Sequence, residues 1–409
     1  MNVYIGKSKA SGVIMAPPSK SLAHRYIICA ALSKGTSYID NVDLSEDIKA
    51  TLDCVKELGA EVAIDGRRVK LDGIDYNKIP DVINFKCRES GSTMRFFMGI
   101  AMCFGKKSRF YGSTTLRNRP FGIYEEICAN QGIEFIRQED SIYIDGKLNS
   151  GEYAIKGNIS SQFITGLMYV LPILEGDSRI KLIPPIESKS YINLTIQAMR
   201  QYGIEVSWVS ETELSIPGGQ NYKACDAFVE GDCSNAAFLE ALNYIGGGVR
   251  VEGLNPNSIQ GDRVYKELFE RLKNKQNHPE DIIDISDCPD LGPVLFAVAA
   301  ALHGGTFTGT KRLKIKESDR GTVMCEELMK FGITSDIYEN DIVIHDCELK
   351  MPKEILEGHN DHRIVMSEAI LLMMTSGKID GAQAVRKSYP GFFEDIKSLG
   401  VEVETDGMD

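Results

Sequence analysis

The chain has 409 residues, enough for two or three domains with full cores. Its 43% hydrophobic and 25% charged residues are the proportions of a globular protein. A net charge of −12 makes the chain a poor candidate for non-specific nucleic-acid binding, and any anion site must gather its Lys and Arg locally.

The opening residues, Met1-Asn2-Val3-Tyr4-Ile5-Gly6, lack the apolar core of a signal peptide. The most apolar runs, Phe163 to Leu174 and Val294 to Leu302, are too short or too broken to span a bilayer, so no membrane partner is expected. Ten cysteines occur without a Cys-x-x-Cys pair. That usage predicts reduced thiols, a cytoplasmic location and no structural zinc.

Pro17-Pro18-Ser19-Lys20-Ser21-Leu22-Ala23-His24-Arg25 is the first informative stretch. Proline holds the entry extended. Ser19 or Ser21 then caps a helix with Leu22, Tyr26, Ile27, Ala30 and Ala31 on one face, ending before Gly35. Free N–H groups, the positive dipole end, Lys20 and Arg25 together make a site for phosphate or carboxylate.

The chain repeats. A glycine followed by a branched or small residue recurs at Gly59, Gly132, Gly203, Gly332 and Gly400, at intervals of 73, 71, 129 and 68 residues. The long interval fits two units, one with a degenerate signature near Arg271-Leu272 and Asp281-Ile282-Ile283-Asp284. A second feature shares the period. Six helices open polar and run apolar, at Ser19-Lys20-Ser21, Gly91-Ser92-Thr93, Ser160-Ser161-Gln162, Cys233-Ser234-Asn235, Asp290-Leu291-Gly292-Pro293 and Asp361-His362-Arg363. A helix apolar nearly all round is buried. The expectation is an α/β repeat of six buried helices with mixed sheet, packed into two domains.

Four further clusters carry chemistry. Ser160, Ser161 and Gln162 present neutral donors at a helix start, although a hydroxyl there is also an ordinary cap. Arg119, in Leu116-Arg117-Asn118-Arg119-Pro120, offers a planar guanidinium for a carboxylate or phosphate. Lys314-Ile315-Lys316-Glu317-Ser318-Asp319-Arg320 is the densest charged run, and Lys316 and Arg320 share a face if the segment is helical. Asn360-Asp361-His362-Arg363 puts cations at a helix start, which the dipole disfavours unless an anion compensates. Lys387 adds one more cation in Lys387-Ser388-Tyr389-Pro390. Asp290 is either an N-cap or a proton acceptor amid these cations.

Pro-Pro-Ser-Lys-Ser, Ser-Ser-Gln, Val229-Glu230-Gly231-Asp232, Lys-Glu-Ser-Asp-Arg, Asn-Asp-His-Arg and Lys-Ser-Tyr-Pro, in that order from Pro17 to Phe393, resemble the 5-enolpyruvylshikimate-3-phosphate synthase family of enolpyruvyl transferases. The resemblance implies two domains, each of three βαβαββ repeats around buried parallel helices, an inside-out α/β barrel. The N-terminal lobe is then 13–228, and 1–12 plus 229–409 form the C-terminal lobe, with crossovers near 13–18 and 227–232. It implies a carboxyvinyltransferase of chorismate and aromatic amino acid biosynthesis. The enolpyruvyl group of phosphoenolpyruvate passes to the 5-hydroxyl of shikimate 3-phosphate and phosphate is released. No metal or organic cofactor is implied, and the family is generally monomeric.

By motif match, the resemblance assigns shikimate 3-phosphate to Lys20, Ser21, Arg25, Ser160, Ser161, Gln162, Ser188, Asp290 and Lys316. It assigns phosphoenolpyruvate to Lys20, Gly91, Arg119, Gln162, Arg320, Arg363 and Lys387. Asp290 is the implied proton acceptor for the 5-hydroxyl, with Glu317 and Lys20 as candidates for the remaining proton transfers. Two positions depart from the family pattern: Glu89, where an amide is usual, and Arg312, where some members have an asparagine. The sister transferase acting on a UDP-sugar uses a loop cysteine. Cys87 and Cys128 are nearest in position, and buried thiols are expected at both. RNA-cyclase relatives share the repeat, but the acidic balance argues against a nucleic-acid substrate.

Overall fold

A computed structural model describes residues 1–406. The chain divides into two compact units, Pro18–Glu230 on one side and Met1–Pro17 with the chain from Gly231 onward on the other. The strand Ser11–Met15 straddles the expected boundary at residue 13. It pairs in parallel with Gly248–Glu252, so the whole strand goes with the second unit.

Pro18–Glu230 holds three repeats. The first contains α1 (Lys20–Ala31), the strand Thr36–Asp40, α2 (Glu46–Glu57) and the hairpin Glu61–Asp65 with Arg68–Asp72. The second runs Val82–Lys86, α3 (Gly91–Phe104), Lys107–Tyr111, the single turn α4 (Thr114–Arg117), α5 (Gly122–Gln131), then Glu134–Arg137 with Ser141–Asp145. The third runs Glu152–Lys156, α6 (Ser161–Val170), Ser178–Ile183, α7 (Lys189–Gln201), then Ser207–Ser210 with Glu213–Ile216. In each sheet the first strand is parallel to the second, and the hairpin adds antiparallel. The first repeat takes its leading strand from Ala227–Phe228, which pairs in parallel with Thr36–Asp40.

Strand patterning explains the layering. Ser178–Ile183 alternates buried and exposed at every residue, so one face meets the helices and the other meets water. The inner helices differ. α3 buries Met94, Phe96, Phe97, Met98 and Ile100, which cover all sides, as expected of a helix enclosed by its neighbours.

The second unit contains α8 (Cys233–Tyr244), α9 (Tyr265–Lys273), α10 (Gly292–Ala301), α11 (Arg320–Lys330), α12 (His362–Thr375) and α13 (Phe392–Ser398). All six expected polar-then-apolar openings lie at the starts of α1, α3, α6, α8, α10 and α12. The last repeat of this unit closes with the chain's first strand, as Asn2–Ile5 pairs with both Gly377–Asp380 and Val403–Asp406.

The degenerate signature has a structural cause. The repeat holding α8 and α9 has a sheet of two strands only. Asp281–Asp284 is no remnant of its hairpin. Ile282–Asp284 is the leading strand of the next repeat, parallel to Gly305–Thr308. Loss of the hairpin shortens that unit and moves the next opening forward.

α3 and α6 cross closely. A Cβ at Gly99 would lie 2.4 Å from the Gly166 carbonyl oxygen, and one at Gly166 would lie 2.1 Å from Tyr124 Oη. Gly99 is therefore demanded by backbone approach, and Gly166 by the Tyr124 hydroxyl together with the Arg95 carbonyl oxygen, which would lie 2.8 Å from its Cβ. Gly99→Ala is expected to destabilise by about 1–3 kcal/mol through overpacking, read as a lower midpoint in urea. An unchanged midpoint would show that the crossing can open without cost.

Candidate active site

In the unit Pro18–Glu230 the inner helices meet through their first turns. Ser19 Oγ accepts the Leu22 N–H, Ser90 Oγ that of Thr93 and Ser160 Oγ that of Gln162, so each cap serine satisfies an end N–H. Gln162, in the first turn of α6, donates from Nε2 to Ser92 Oγ on α3 at 2.8 Å. Its Oε1 accepts from Arg95 Nη1 at 2.5 Å. The Arg95 guanidinium also lies over the rings of Phe121 and Phe163.

Arg119 is folded back against Gly91. A Cβ there would lie 2.7 Å from Arg119 Nη1, so the glycine leaves room for the guanidinium in this position at the start of α3. Arg119 Nε is buried and has no acceptor in the protein. A buried donor without a partner is costly, and the same group is satisfied when an anion arrives.

Lys20 pairs with Asp47 at 3.0 Å, and both are largely buried. Arg25 is 4% exposed and works as an internal strut: Nε donates to Thr195 Oγ1, Nη1 to the Ser21 carbonyl and Nη2 to the Tyr191 carbonyl. This ties α1 to α7. Ser160, Ser161 and Ser188 are all buried, and Ser188 has a left-handed backbone at φ 57° just before α7. A chain of side chains runs beneath Lys20. His24 Nδ1 contacts Thr51 Oγ1, which contacts Thr93 Oγ1, which donates to Ser90 Oγ, each at 2.7 Å.

The second unit gathers its own cluster. Asp290 Oδ1 accepts from Lys316 Nζ at 3.0 Å and from Arg320 Nη1 at 2.9 Å. Its Oδ2 accepts from Arg363 Nη2 at 3.3 Å. Burial raises its carboxyl pKa, but Arg363, Lys316 and Arg320 outweigh that and hold it well below the usual range. Arg320 makes four charge-assisted bonds to three carboxylates: Asp290, Glu317 at 2.5 Å, and Asp361 at 2.8 and 3.2 Å. Burial lowers the Lys316 pKa; Asp290 opposes this, and Arg312 and Arg320 add to it.

Two expectations change here. Lys316 and Arg320 do not share a helix: Lys316 follows the 3-10 turn Thr310–Ile315, and Arg320 begins α11. They converge because Asp290 accepts from both. The cations at the start of α12 are compensated within the protein, by Asp361 as the cap and Asp290 beyond it. Compensation is incomplete, since Arg363 Nε and Nη1 are buried without an acceptor. Lys387 Nζ donates to the Asn360 carbonyl at 2.6 Å, beside the same helix start.

Three participants escaped the sequence reading. Asp47 is the counter-ion of Lys20 across 27 residues, a pairing without local signal. Asp361 had only its place in a motif, not its grip on Arg320. Arg95 lies one turn after Gly91, at the spacing that puts it on the same face of α3. Glu89 follows Arg88, which has φ 52° and pairs with Glu46 and Asp53 on α2.

The full length of the chain can be set beside known proteins. Residues 5–396 match the family model described as EPSP synthase (3-phosphoshikimate 1-carboxyvinyltransferase). The chain belongs to this family. A 3-phosphoshikimate 1-carboxyvinyltransferase of Clostridium kluyveri is 40% identical, with 98% of each chain covered. One from Clostridium perfringens is 39% identical over 97% of this chain and 98% of its own. Among solved structures, an EPSP synthase from Acinetobacter baumannii superposes with a TM-score of 0.77 at 22% identity, covering 99% of this chain and 100% of that one. The enolpyruvyl transferase NikO from Streptomyces tendae gives 0.72 at 11% identity over 98% of both chains. At those identities the likeness establishes the enolpyruvyl transferase fold. Cys87 and Cys128 of this family member are buried, as all but Cys225 and Cys347 of its ten free thiols are.

His24 supplies a test of this site's electrostatics. Burial, with Lys20 and Arg25 close by, holds its imidazole well below 6.5. The folded state therefore keeps His24 neutral while the unfolded chain binds a proton below that pH. Its linkage term is favourable above 6.5 and declines as pH falls toward the folded pKa. His24→Gln removes the term. The stability advantage of wild type over H24Q should narrow between about pH 7.5 and about pH 5.5 in urea titrations. A gap that stays constant would contradict a neutral buried imidazole.

Proposed function

We propose that this enzyme transfers the enolpyruvyl group of phosphoenolpyruvate to the 5-hydroxyl of shikimate 3-phosphate and releases phosphate. The observation that carries the reading is a pair of guanidinium groups, each with a buried N–H left over. Arg119 lies at the start of α3 and Arg363 in the first turn of α12, and each keeps a buried donor without an acceptor. Both substrates are polyanions, and each such donor has a natural acceptor in a carboxylate or phosphate oxygen.

The chemistry follows from the charges. The 5-hydroxyl oxygen bonds to the carbon of phosphoenolpyruvate that carries phosphate, and the methylene carbon gains a proton. Loss of phosphate and of a methyl proton from this tetrahedral adduct restores the double bond. Asp290 takes the hydroxyl proton in this reading, and Glu317 and Lys20 serve the methylene carbon and the bridging oxygen. At rest Asp290 is a weak base, because three cations hold its negative charge. Substrate oxygens that draw on Lys316 and Arg363 return basicity to it, so the base strengthens when anions arrive.

Gly91, Arg119, Arg320, Arg363 and Lys387 hold phosphoenolpyruvate in this account, with Lys20 and Gln162 contacting both substrates. Ser21, Arg25, Ser160, Ser161, Ser188 and Lys316 serve shikimate 3-phosphate. Arg25 and Arg320 act largely as struts, since most of their N–H groups are spent inside the protein. The reading carries with it a cytoplasmic monomer. No helix among the described residues is long and apolar enough to cross a membrane.

Phosphate release from phosphoenolpyruvate, with and without shikimate 3-phosphate, tests the activity. Release that depends on both substrates is expected, and none at any concentration would overturn the reading. Lys20→Ala should lower kcat/KM about a hundredfold or more, roughly 3 kcal/mol of transition-state stabilisation. Near-normal turnover in that variant would remove Lys20 from the chemistry.

A further inference from the structure

Glu327 lies on α11, seven residues beyond Arg320, and is 2% exposed. Its carboxylate gathers groups from two places. Oε1 accepts from Lys330 Nζ on its own helix at 2.8 Å and contacts His359 Nε2 at 3.0 Å. Oε2 accepts the backbone N–H of Glu357 at 3.1 Å. Glu357 and His359 belong to the segment that leads into α12, immediately before Asp361 and Arg363.

That segment needs holding. His359 and Asn360 have φ of 45° and 52°, left-handed values that side-chain-bearing residues adopt at a cost. One flank is tied to the strand Gly377–Asp380, through the parallel pairing of Leu356 and Glu357 and the Gly358 N–H bond to the Asp380 carbonyl. The other flank is tied to α11 twice: Arg320 grips Asp361, and Glu327 grips Glu357 and His359. Glu368, fully buried on α12, faces Glu327 from behind. Burial, with the Glu327 charge next, pushes its carboxyl well above the usual 4.5. Glu327 is thus the buried charge on which α11, α12 and the strained segment between strand and helix all bear.

We propose that Glu327 is a positioning residue for the reaction, acting through the segment 356–361 to set Arg363 against Asp290. The proposal rests on the reading of Arg363 as a phosphoenolpyruvate ligand. It concerns geometry transmitted over one strained turn, from the Glu327 carboxylate through Glu357 and His359 to the start of α12. A residue with only a fold-stabilising role would lower the melting temperature and leave the constants per folded molecule unchanged.

The test measures KM for each substrate and kcat for wild type, Glu327→Gln, His359→Gln and Arg363→Ala, normalised to folded protein. Glu327→Gln keeps the size and one acceptor oxygen but loses the charge. Its KM for phosphoenolpyruvate should rise about three- to tenfold, the worth of one or two lost hydrogen bonds, with KM for shikimate 3-phosphate changed less than about twofold. His359→Gln, at a half-buried position, should show the same split more weakly, and it decides the matter if Glu327→Gln does not fold. Equal or absent changes in both KM values overturn the proposal. Arg363→Ala separates the two layers. If its phosphoenolpyruvate KM rises while the Glu327 and His359 variants behave as wild type, only the positioning role falls. If Arg363→Ala leaves that KM unchanged, the underlying site reading falls and takes the proposal with it.

Discussion

Asp290 is the acceptor on which Lys316, Arg320 and Arg363 converge, and that convergence governs the charged cluster of the second unit. Cations this close repel one another, and burying them costs hydration. One carboxylate between them offsets both effects while no substrate is present. It does so incompletely, leaving Arg363 Nε and Nη1 without acceptors. A cluster built this way is held together by its own carboxylate and still keeps buried donors. The same cations hold the Asp290 carboxyl well below the usual range.

Arg320 gives the cluster its rigidity. It is 1% exposed and bonded to three carboxylates from three places in the chain. Asp361 among them is fully buried and also caps α12, so one ion pair fixes both the start of that helix and the direction of Arg363. The unit Pro18–Glu230 uses different means to similar effect. Hydroxyls replace most of the carboxylates there, in the run from His24 through Thr51 and Thr93 to Ser90. The neutral imidazole adds no further positive charge beneath Lys20.

Local pattern made the inner helices legible. Each opens with a polar turn and continues apolar, and that switch needs no tertiary information to be seen. The candidate cations were legible too, since an acidic chain that places Lys and Arg at helix starts invites the question of what they face. What escaped was partnership. Asp47 opposite Lys20 and Asp361 opposite Arg320 are choices made by packing between distant segments. The missing hairpin after α9 was misread for a related reason: Ile282–Asp284 has strand character, and only its pairing with Gly305–Thr308 shows which repeat owns it. The condition for a joint face of Lys316 and Arg320, a helical segment, is not met, because the 3-10 turn ends at Ile315, before α11 begins.

The central claim is that Asp290 stands in for substrate anions among these cations. Thermal unfolding of wild type and Asp290→Asn, with and without inorganic phosphate, tests it most directly. The account predicts that Asp290→Asn unfolds at a lower temperature and regains more from phosphate than wild type does, because the anion replaces the lost charge. Equal stability without phosphate, and equal shifts with it, would contradict the claim.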